Sequence, residues 1–340
     1  VSCEEVLVIA LGGGIALGAV AQHDVTRVEC VEIVPDVLEA AKNQFGPFNH
    51  DVLERLDKLP VSVRVDDGRN YLLTTNRRFD VITGDATHPT STDSWVLYTR
   101  DFYELCRSRL TADGIFVQWL PFHGMHPDDF KTVLRTFHSV FPHATLWRTN
   151  NYAIMMGTKQ RLEVDVATME GRLNRLSVRE SLSEVDLGTP LDVMSCFLFD
   201  ERSFAAYVGE GDINTDDHPH LSFAGKRGFR ADTWRVLQDL QVHTQRHPIE
   251  LQPYLSFSSE TERQSLEPLL ATYLAGKVHV LEGDVQRLKR DKLEALKAYA
   301  QAVKENPLEL TALHFYDVLS KRFVREYRRK HGKDPPPFSF

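Results

Sequence analysis

Four groups of residues near the start of the chain have the types and spacing needed to hold a nucleoside and move a proton. They are the turn Gly12-Gly13-Gly14, the acid Glu32, the triplet Asp66-Asp67-Gly68 and the pair Gly84-Asp85. Each lies at or just past the end of a predicted strand, over residues 5–10, 27–33, 61–65 and 79–83, the first of which is a short apolar run that reads as fully buried. Open α/β sheets bind ligands at the carboxyl ends of their strands. A glycine turn lets a ligand approach the backbone, and the helix after it offers free N–H groups. A carboxylate about 20 residues further on, at the end of the second strand, can accept both hydroxyls of a ribose. Asp67 can reach the exocyclic amine of adenine while Gly68 lets the chain turn close to the base. Asp85 then stands where chemistry would occur. Plainer roles compete: packing for the glycines, a solvated strand end for Glu32, a helix cap for Asp67 and a turn cap for Asp85.

These residues need a sheet to hold them. Helical patterns over residues 15–23, 35–45, 68–75, 99–110 and 127–141 alternate with the four strands and with a fifth at 114–120. Alternation of this kind implies a doubly wound, mainly parallel sheet. Two further strands, 144–148 and 152–157, are separated by Thr149-Asn150-Asn151, a hairpin signal that puts an antiparallel strand at the end of the sheet. The expected fold is therefore α/β, a methyltransferase-type Rossmann fold with a terminal antiparallel hairpin and a C-terminal helical extension. Residues 161–207 read as helical with weak periodicity, and the turn-rich stretch 214–219 precedes a short strand at 220–223. Helices follow beyond residue 230, among them a pair at 266–283 and 292–304. Ala295, Tyr299, Ala302 and Pro307 fit the second helix of a tetratricopeptide repeat, and a plain helical hairpin fits as well. The expected organisation is a Rossmann domain over 1–225, a helical extension over 230–328 and a basic, Pro-rich, disordered tail over 329–340.

Composition narrows the function classes. The chain has 340 residues, enough for one large domain or two ordinary ones, with 42% hydrophobic and 26% charged residues. A net charge of −8 argues against nucleic-acid binding and is compatible with a cationic substrate. Cys3, Cys30, Cys106 and Cys196 are scattered, so neither a zinc site nor a disulfide framework is indicated, and a reducing environment fits. His123 and His126 lack further ligands in reach, His218 and His220 flank Pro219 as turn residues, and no metal is expected. Residues 6–21 are apolar but short, with glycines at their centre, and read as strand and turn rather than a membrane span. The chain starts on this strand without an initiator Met, so an N-terminal part is expected to be missing.

The ordered set formed by the glycine turn, Glu32, Asp67-Gly68, Asp85 with Pro89, and Leu97-Tyr-Thr-Arg-Asp-Phe-Tyr103 resembles the spermidine synthase family of polyamine aminopropyltransferases. Gln118-Trp-Leu-Pro121 and Asn214-Thr-Asp-Asp217 are similar to the bacterial branch in which this domain follows membrane-spanning helices. The resemblance covers residues 5–225. It implies transfer of an aminopropyl group from decarboxylated S-adenosylmethionine to an amine such as putrescine. Gly12, Gly14, Glu32, Asp67 and Gly68 would hold the adenosyl part, and Asp85 would orient and deprotonate the amine. Beyond what the resemblance implies, His88, Asp93, Tyr98, Asp216 and Asp217 are candidates for the amine site. Asp93, Asp216 and Asp217 would be replacement negative charge, and His88 a group that repels a diamine if charged. Tyr98 with Trp95 would line the crevice, a helix-start anchor fitting Tyr98 equally well. The resemblance also implies a cytoplasmic-side domain anchored by N-terminal helices in the full-length protein, and it leaves a homodimer open. Three departures stand out. Gly13 occupies a position where the family carries an acid, His88-Pro89 replaces Asp-Pro, and the β-rich segment that precedes the first strand in the family is missing. The chain alone is therefore expected to bind nucleoside weakly and catalyse poorly. Two alternatives stay open: a methyltransferase using intact S-adenosylmethionine, and a non-catalytic nucleoside-binding or interaction module.

Overall fold

Strand β1, Glu5–Ile9, is buried over its last four residues and alternates sharply: Leu7 and Ile9 enter one core, Val6 and Val8 another. A strand that is apolar on both faces needs cover on both, which is the condition of a parallel sheet between helical layers. A computed structural model describes this arrangement over residues 3–85, 88–149, 152–224 and 233–335. The strands β2 (Arg27–Glu32), β3 (Val61–Val65), β4 (Phe79–Gly84), β5 (Leu110–Pro121), β6 (His143–Arg148) and β7 (Tyr152–Thr158) join β1 in one sheet. Beyond them, β8 (Val164–Asp165) and β10 (Leu255–Ser256) form a separate pair, and β9 (Phe197–Phe199) adds to the edge of the main sheet. The order is β3-β2-β1-β4-β5-β7-β6-β9. The first five are parallel, and β7 runs antiparallel between β5 and β6, which gives the expected methyltransferase-type sheet.

Helices α1 (Ile15–Val20) and α2 (Pro35–Phe45) cover one face, where Leu17 and Ala41 pack with Val8 and Cys30. Helices α3 (Gly68–Thr74), α4 (Arg100–Arg109) and α5 (Pro127–Val140) cover the other, around Phe102, Phe116 and Phe137. The register fixes the site: Ile9 pairs with Val31 and Gly84, Glu32 with Val65, and Gly84 with Gln118. The carboxyl ends of β1 to β5 therefore lie side by side.

Several expectations are corrected past the hairpin, whose turn residues Asn150 and Asn151 lie outside the described residues. The stretch 161–207 holds α6 (Val166–Leu173), α7 (Leu176–Ser183), α8 (Pro190–Ser195) and α9 (Glu201–Val208), but β8 and β9 interrupt it. Residues 220–223 are not a strand. They form α10 (His220–Ala224), started by bonds from the Ser222 N–H and hydroxyl to the Pro219 carbonyl. After α11 (Thr233–Arg246), the helix expected over 266–283 is two, α12 (Glu260–Leu274) and α13 (Lys277–Leu288). They part at Gly276, where a Cβ would lie 2.8 Å from the Ala302 carbonyl oxygen in α14 (Lys292–Glu305), a close approach only glycine allows. The tail is helical further than expected. Helix α15 runs Leu310–His331, with four basic residues in its last turn complementing the helix dipole and Gly332 at φ 67 ending it.

The helical region shares a core with the sheet: Val236, Leu237 and Leu240 of α11 and Leu281 and Val285 of α13 join the cluster around Phe116. At the end of β6, Arg148 pairs with Asp284 of α13, a carboxylate only 1% exposed that also accepts from Arg287 and Tyr299. Among the described residues no helix is long and apolar enough to cross a membrane.

Candidate active site

The glycine turn is held in shape from two sides. Ala10, Gly12 and Gly14 all have positive φ, at 70, 53 and 75°, which folds the chain back directly after β1. On one side the Leu11 N–H donates to Glu32 Oε2 at 2.8 Å, and the Val34 N–H donates to Oε1 at 2.9 Å. Glu32 is 6% exposed, so its first task is to hold these two backbone donors. On the other side, buried Asn49 donates through Nδ2 to the carbonyls of Gly13 at 2.9 Å and Ala41 at 3.1 Å. Asn49 was not legible as a site residue, because nothing in its neighbourhood marks it off from an ordinary loop polar. The three glycines face different surroundings. A Cβ on Gly12 would meet open space, one on Gly14 would lie 3.1 Å from Asn49 Nδ2, and one on Gly13 would lie 2.9 Å from the ring of Phe45.

Next to Glu32, the Asp66 N–H donates to the Glu32 carbonyl at 3.1 Å, which joins the two strand ends. Asp67 caps α3 by accepting from the Asn70 N–H at 2.8 Å through Oδ1. Asp66 accepts from the Asp67 N–H and from Asn70 Nδ2. The cap role of Asp67 is therefore real, and its Oδ2 has no hydrogen-bond partner among the described residues. Gly68 sits where a Cβ would lie 2.5 Å from Ile9 Cγ2, so close packing of α3 on β1 already requires glycine there. Ile33, 61% exposed, projects from the chain between Glu32 and the residues that follow.

On the other flank, the Asp85 N–H continues the β-ladder by donating to the Ile9 carbonyl at 3.0 Å. Asp85 is exposed just past the end of β4, and among the described residues its carboxylate has no hydrogen-bond or ion-pair partner. The protein around it nonetheless desolvates it enough to raise its pKa above the ordinary aspartate value. Tyr98 is fully buried in the main core, so it anchors the start of the helix region and does not line a surface. Its hydroxyl donates to the Trp119 carbonyl at 3.3 Å, and burial, with the Asp85 charge second, raises its pKa. Trp95 is partly buried against the main core.

The remaining amine-site candidates separate. His88 uses both ring nitrogens, with Nε2 at 2.8 Å from the His123 carbonyl and Nδ1 within 2.9 Å of the Thr90 hydroxyl and 3.3 Å of its N–H. A nitrogen facing a carbonyl must donate and one facing an N–H must accept, which specifies the neutral tautomer. Burial lowers the His88 pKa in the same direction. Asp216 forms a two-point pair with the Arg69 guanidinium. Burial pushes its pKa up, but the Arg69 and Thr99 bonds outweigh this and leave it lowered. Asp216 is thus spent on Arg69. Asp93 and Asp217 are exposed on loops. Asn214, fully buried, joins the parts: it donates to the carbonyls of Trp95 and Tyr98 and accepts from the Leu221 N–H. The structure thus brings Asp67, Glu32, the glycine turn and Asp85 to adjacent strand tips, and it ties up Asp216 and His88. Among the described residues no group of three potential metal ligands is found.

Sheet order, the antiparallel β7 and a glycine turn flanked by strand-tip acids define a methyltransferase-type Rossmann protein. Residues 1–154 match the family model described as the spermine/spermidine synthase domain. It is 38% identical over 117 residues to polyamine aminopropyltransferase 1 of Pseudomonas aeruginosa, covering 34% of this chain and 40% of that protein. It is 30% identical over 148 residues to the polyamine aminopropyltransferase of Bacillus subtilis, covering 43% of this chain and 52% of that protein. The chain therefore spans about half or less of these relatives. Among solved structures, a spermidine synthase in complex with the transition state analogue AdoDATO aligns with a TM-score of 0.41 and 26% identity, covering 46% of this chain and 55% of that one.

Proposed function

We propose that residues 1–225 form a transferase domain that moves an aminopropyl group from decarboxylated S-adenosylmethionine to an amine acceptor. The observation that carries this is the row of acids at neighbouring strand ends, where Asp85 alone has no hydrogen-bond or ion-pair partner among the described residues. Asp67 follows β3, Glu32 ends β2, the glycine turn follows β1 and Asp85 follows β4. Three strand spacings of about 4.8 Å make a row of roughly 14 Å, the scale of a nucleoside with its sulfonium arm. Asp67 Oδ2 faces the adenine amine and Ile33 covers the ring. Glu32 accepts the ribose hydroxyls through lone pairs not used by Leu11 and Val34. The sulfonium carbon lies above the turn, where Gly12 offers open space.

The amine nitrogen attacks the carbon beside the sulfonium sulfur. A C–N bond forms, the C–S bond breaks with its electron pair left on sulfur, and the proton from nitrogen goes to the Asp85 carboxylate. A carboxylate with a raised pKa is a better proton acceptor than an ordinary one, and its charge orients the cationic amine. His88, held neutral, does not repel that cation. Similarity to the bacterial branch supports a cytoplasmic-side domain behind N-terminal membrane helices, with residues 230–328 as a helical extension.

Calorimetric titration with decarboxylated and intact S-adenosylmethionine, followed by product analysis with putrescine, tests the proposal. Preference for the decarboxylated form and release of a methylthioadenosine product are expected. Preference for the intact form, with methyl transfer, would overturn it.

A further inference from the structure

A second recess lies away from the crevice, where the end of α11 and the loop after it meet α12, α13 and the end of α14. Its volume is about 470 Å³, within the range of about 300–1,000 Å³ in which small ligands are held. Ile249, Leu274 and Val278 supply apolar wall, and only two lining residues ionise, His279 and Glu305. The imidazole of His279 lies between two carboxylates, with Nε2 at 3.2 Å from Glu305 Oε1 and Nδ1 at 3.4 Å from Glu282 Oε2. Two acids on one imidazole leave at least one negative charge unbalanced, whichever form the histidine takes. Within Glu305, Oε1 also accepts from Gln301 Nε2 at 2.8 Å, whereas Oε2 has no partner among the described residues. The opposite face of α13 carries Asp284, fixed to Arg148 of the sheet, so the helix behind the recess is anchored.

We propose that this recess is a binding site for an aliphatic monoamine, with the ammonium on Glu305 Oε2 and the alkyl chain along Ile249, Leu274 and Val278. An anionic rim over an apolar wall suits a cation with a hydrocarbon tail and disfavours an anion with the same tail. The site is independent of the crevice and its proposed reaction.

Titration of the whole chain with n-hexylamine, hexanoate and 1-hexanol tests it. Hexylamine is expected to bind and the other two to bind at least several-fold more weakly. Glu305→Gln removes one half-exposed charge pairing, so hexylamine affinity should fall about fivefold. Leu274→Trp fills the recess and should abolish binding, with a thermal melt to show that the variant is folded. Asp85→Asn should leave binding unchanged. Absent hexylamine binding, equal binding of hexanoate, or binding that survives both recess substitutions and is lost in Asp85→Asn would each overturn the proposal.

Discussion

Replacing Glu32 by Gln separates the two tasks assigned to one carboxylate. The shape is kept, but only one terminal atom of the side chain still accepts, so either Leu11 or Val34 loses its partner and faces an amide NH2 instead. A hydrogen bond to a charged group contributes about 1.5–3 kcal/mol, and stranding a buried donor costs about 1–3 kcal/mol. Glu32 is 6% exposed and the Leu11 bond is buried, so water does not replace it, and the expected loss of stability is about 2 kcal/mol. For a chain of this size that lowers the melting temperature by about 3 °C. The ribose loses one charged acceptor at the same time, which weakens nucleoside binding by about 10- to 100-fold. Thermal melting followed by circular dichroism reads the first effect, and calorimetric titration with decarboxylated S-adenosylmethionine reads the second. A lower melting temperature with unchanged nucleoside affinity would refute the ribose role. An unchanged melting temperature would refute the role in shaping the turn.

Asp85→Asn should lower kcat by about 10²- to 10⁴-fold while leaving nucleoside affinity intact, as loss of a general base requires. Its effect on stability has a definite sign. A carboxyl whose folded pKa is raised contributes stability that is fully present below the unfolded value of 3.8 and is lost as pH rises through the folded one. Asp85→Asn should therefore melt slightly higher than the parent at pH 7 and lose that advantage near pH 3. Arg148→Met leaves Asp284, 1% exposed, without one of its two guanidinium partners, and should cost about 3 kcal/mol in urea unfolding. The double variant Arg148→Met/Asp284→Asn should recover part of that loss, and no recovery would mean that Arg148 acts by packing alone. Gly18→Ala would put a Cβ 2.2 Å from the Asn49 carbonyl oxygen. The shift needed to relieve it costs about 1–3 kcal/mol and pulls Asn49 from the Gly13 carbonyl, so both melting temperature and nucleoside affinity should fall.

What could be read in the sequence follows from how local each cause is. Strand β1 announces itself because a parallel strand buried on both faces is a continuous apolar run, whereas β3, Val-Ser-Val-Arg-Val, is marked by alternation and by the Asp66-Asp67-Gly68 that follows it. Strand β9 is invisible for the opposite reason: Phe197-Leu-Phe199 is three residues long and owes its extended form to β6, some 50 residues earlier. The break at Gly276 is set by the approach of α14, and the turn of helix at 220–224 by the Pro219 carbonyl, neither of which an alternating or periodic pattern encodes. The site divides along the same line. The acids are legible because strand tips are legible, but the charge each has left for a ligand depends on distant partners. Arg69 takes Asp216, 147 positions away in the chain, and the His123 carbonyl with Thr90 keeps His88 neutral. Glu32 and Asp67 each give part of their capacity to the backbone before any ligand arrives. Asp85 gives none to a described residue, and its pKa is raised by the surrounding protein. A carboxylate held in that state is destabilising to the fold on its own, so the arrangement makes physical sense when a cationic amine arrives to share its charge.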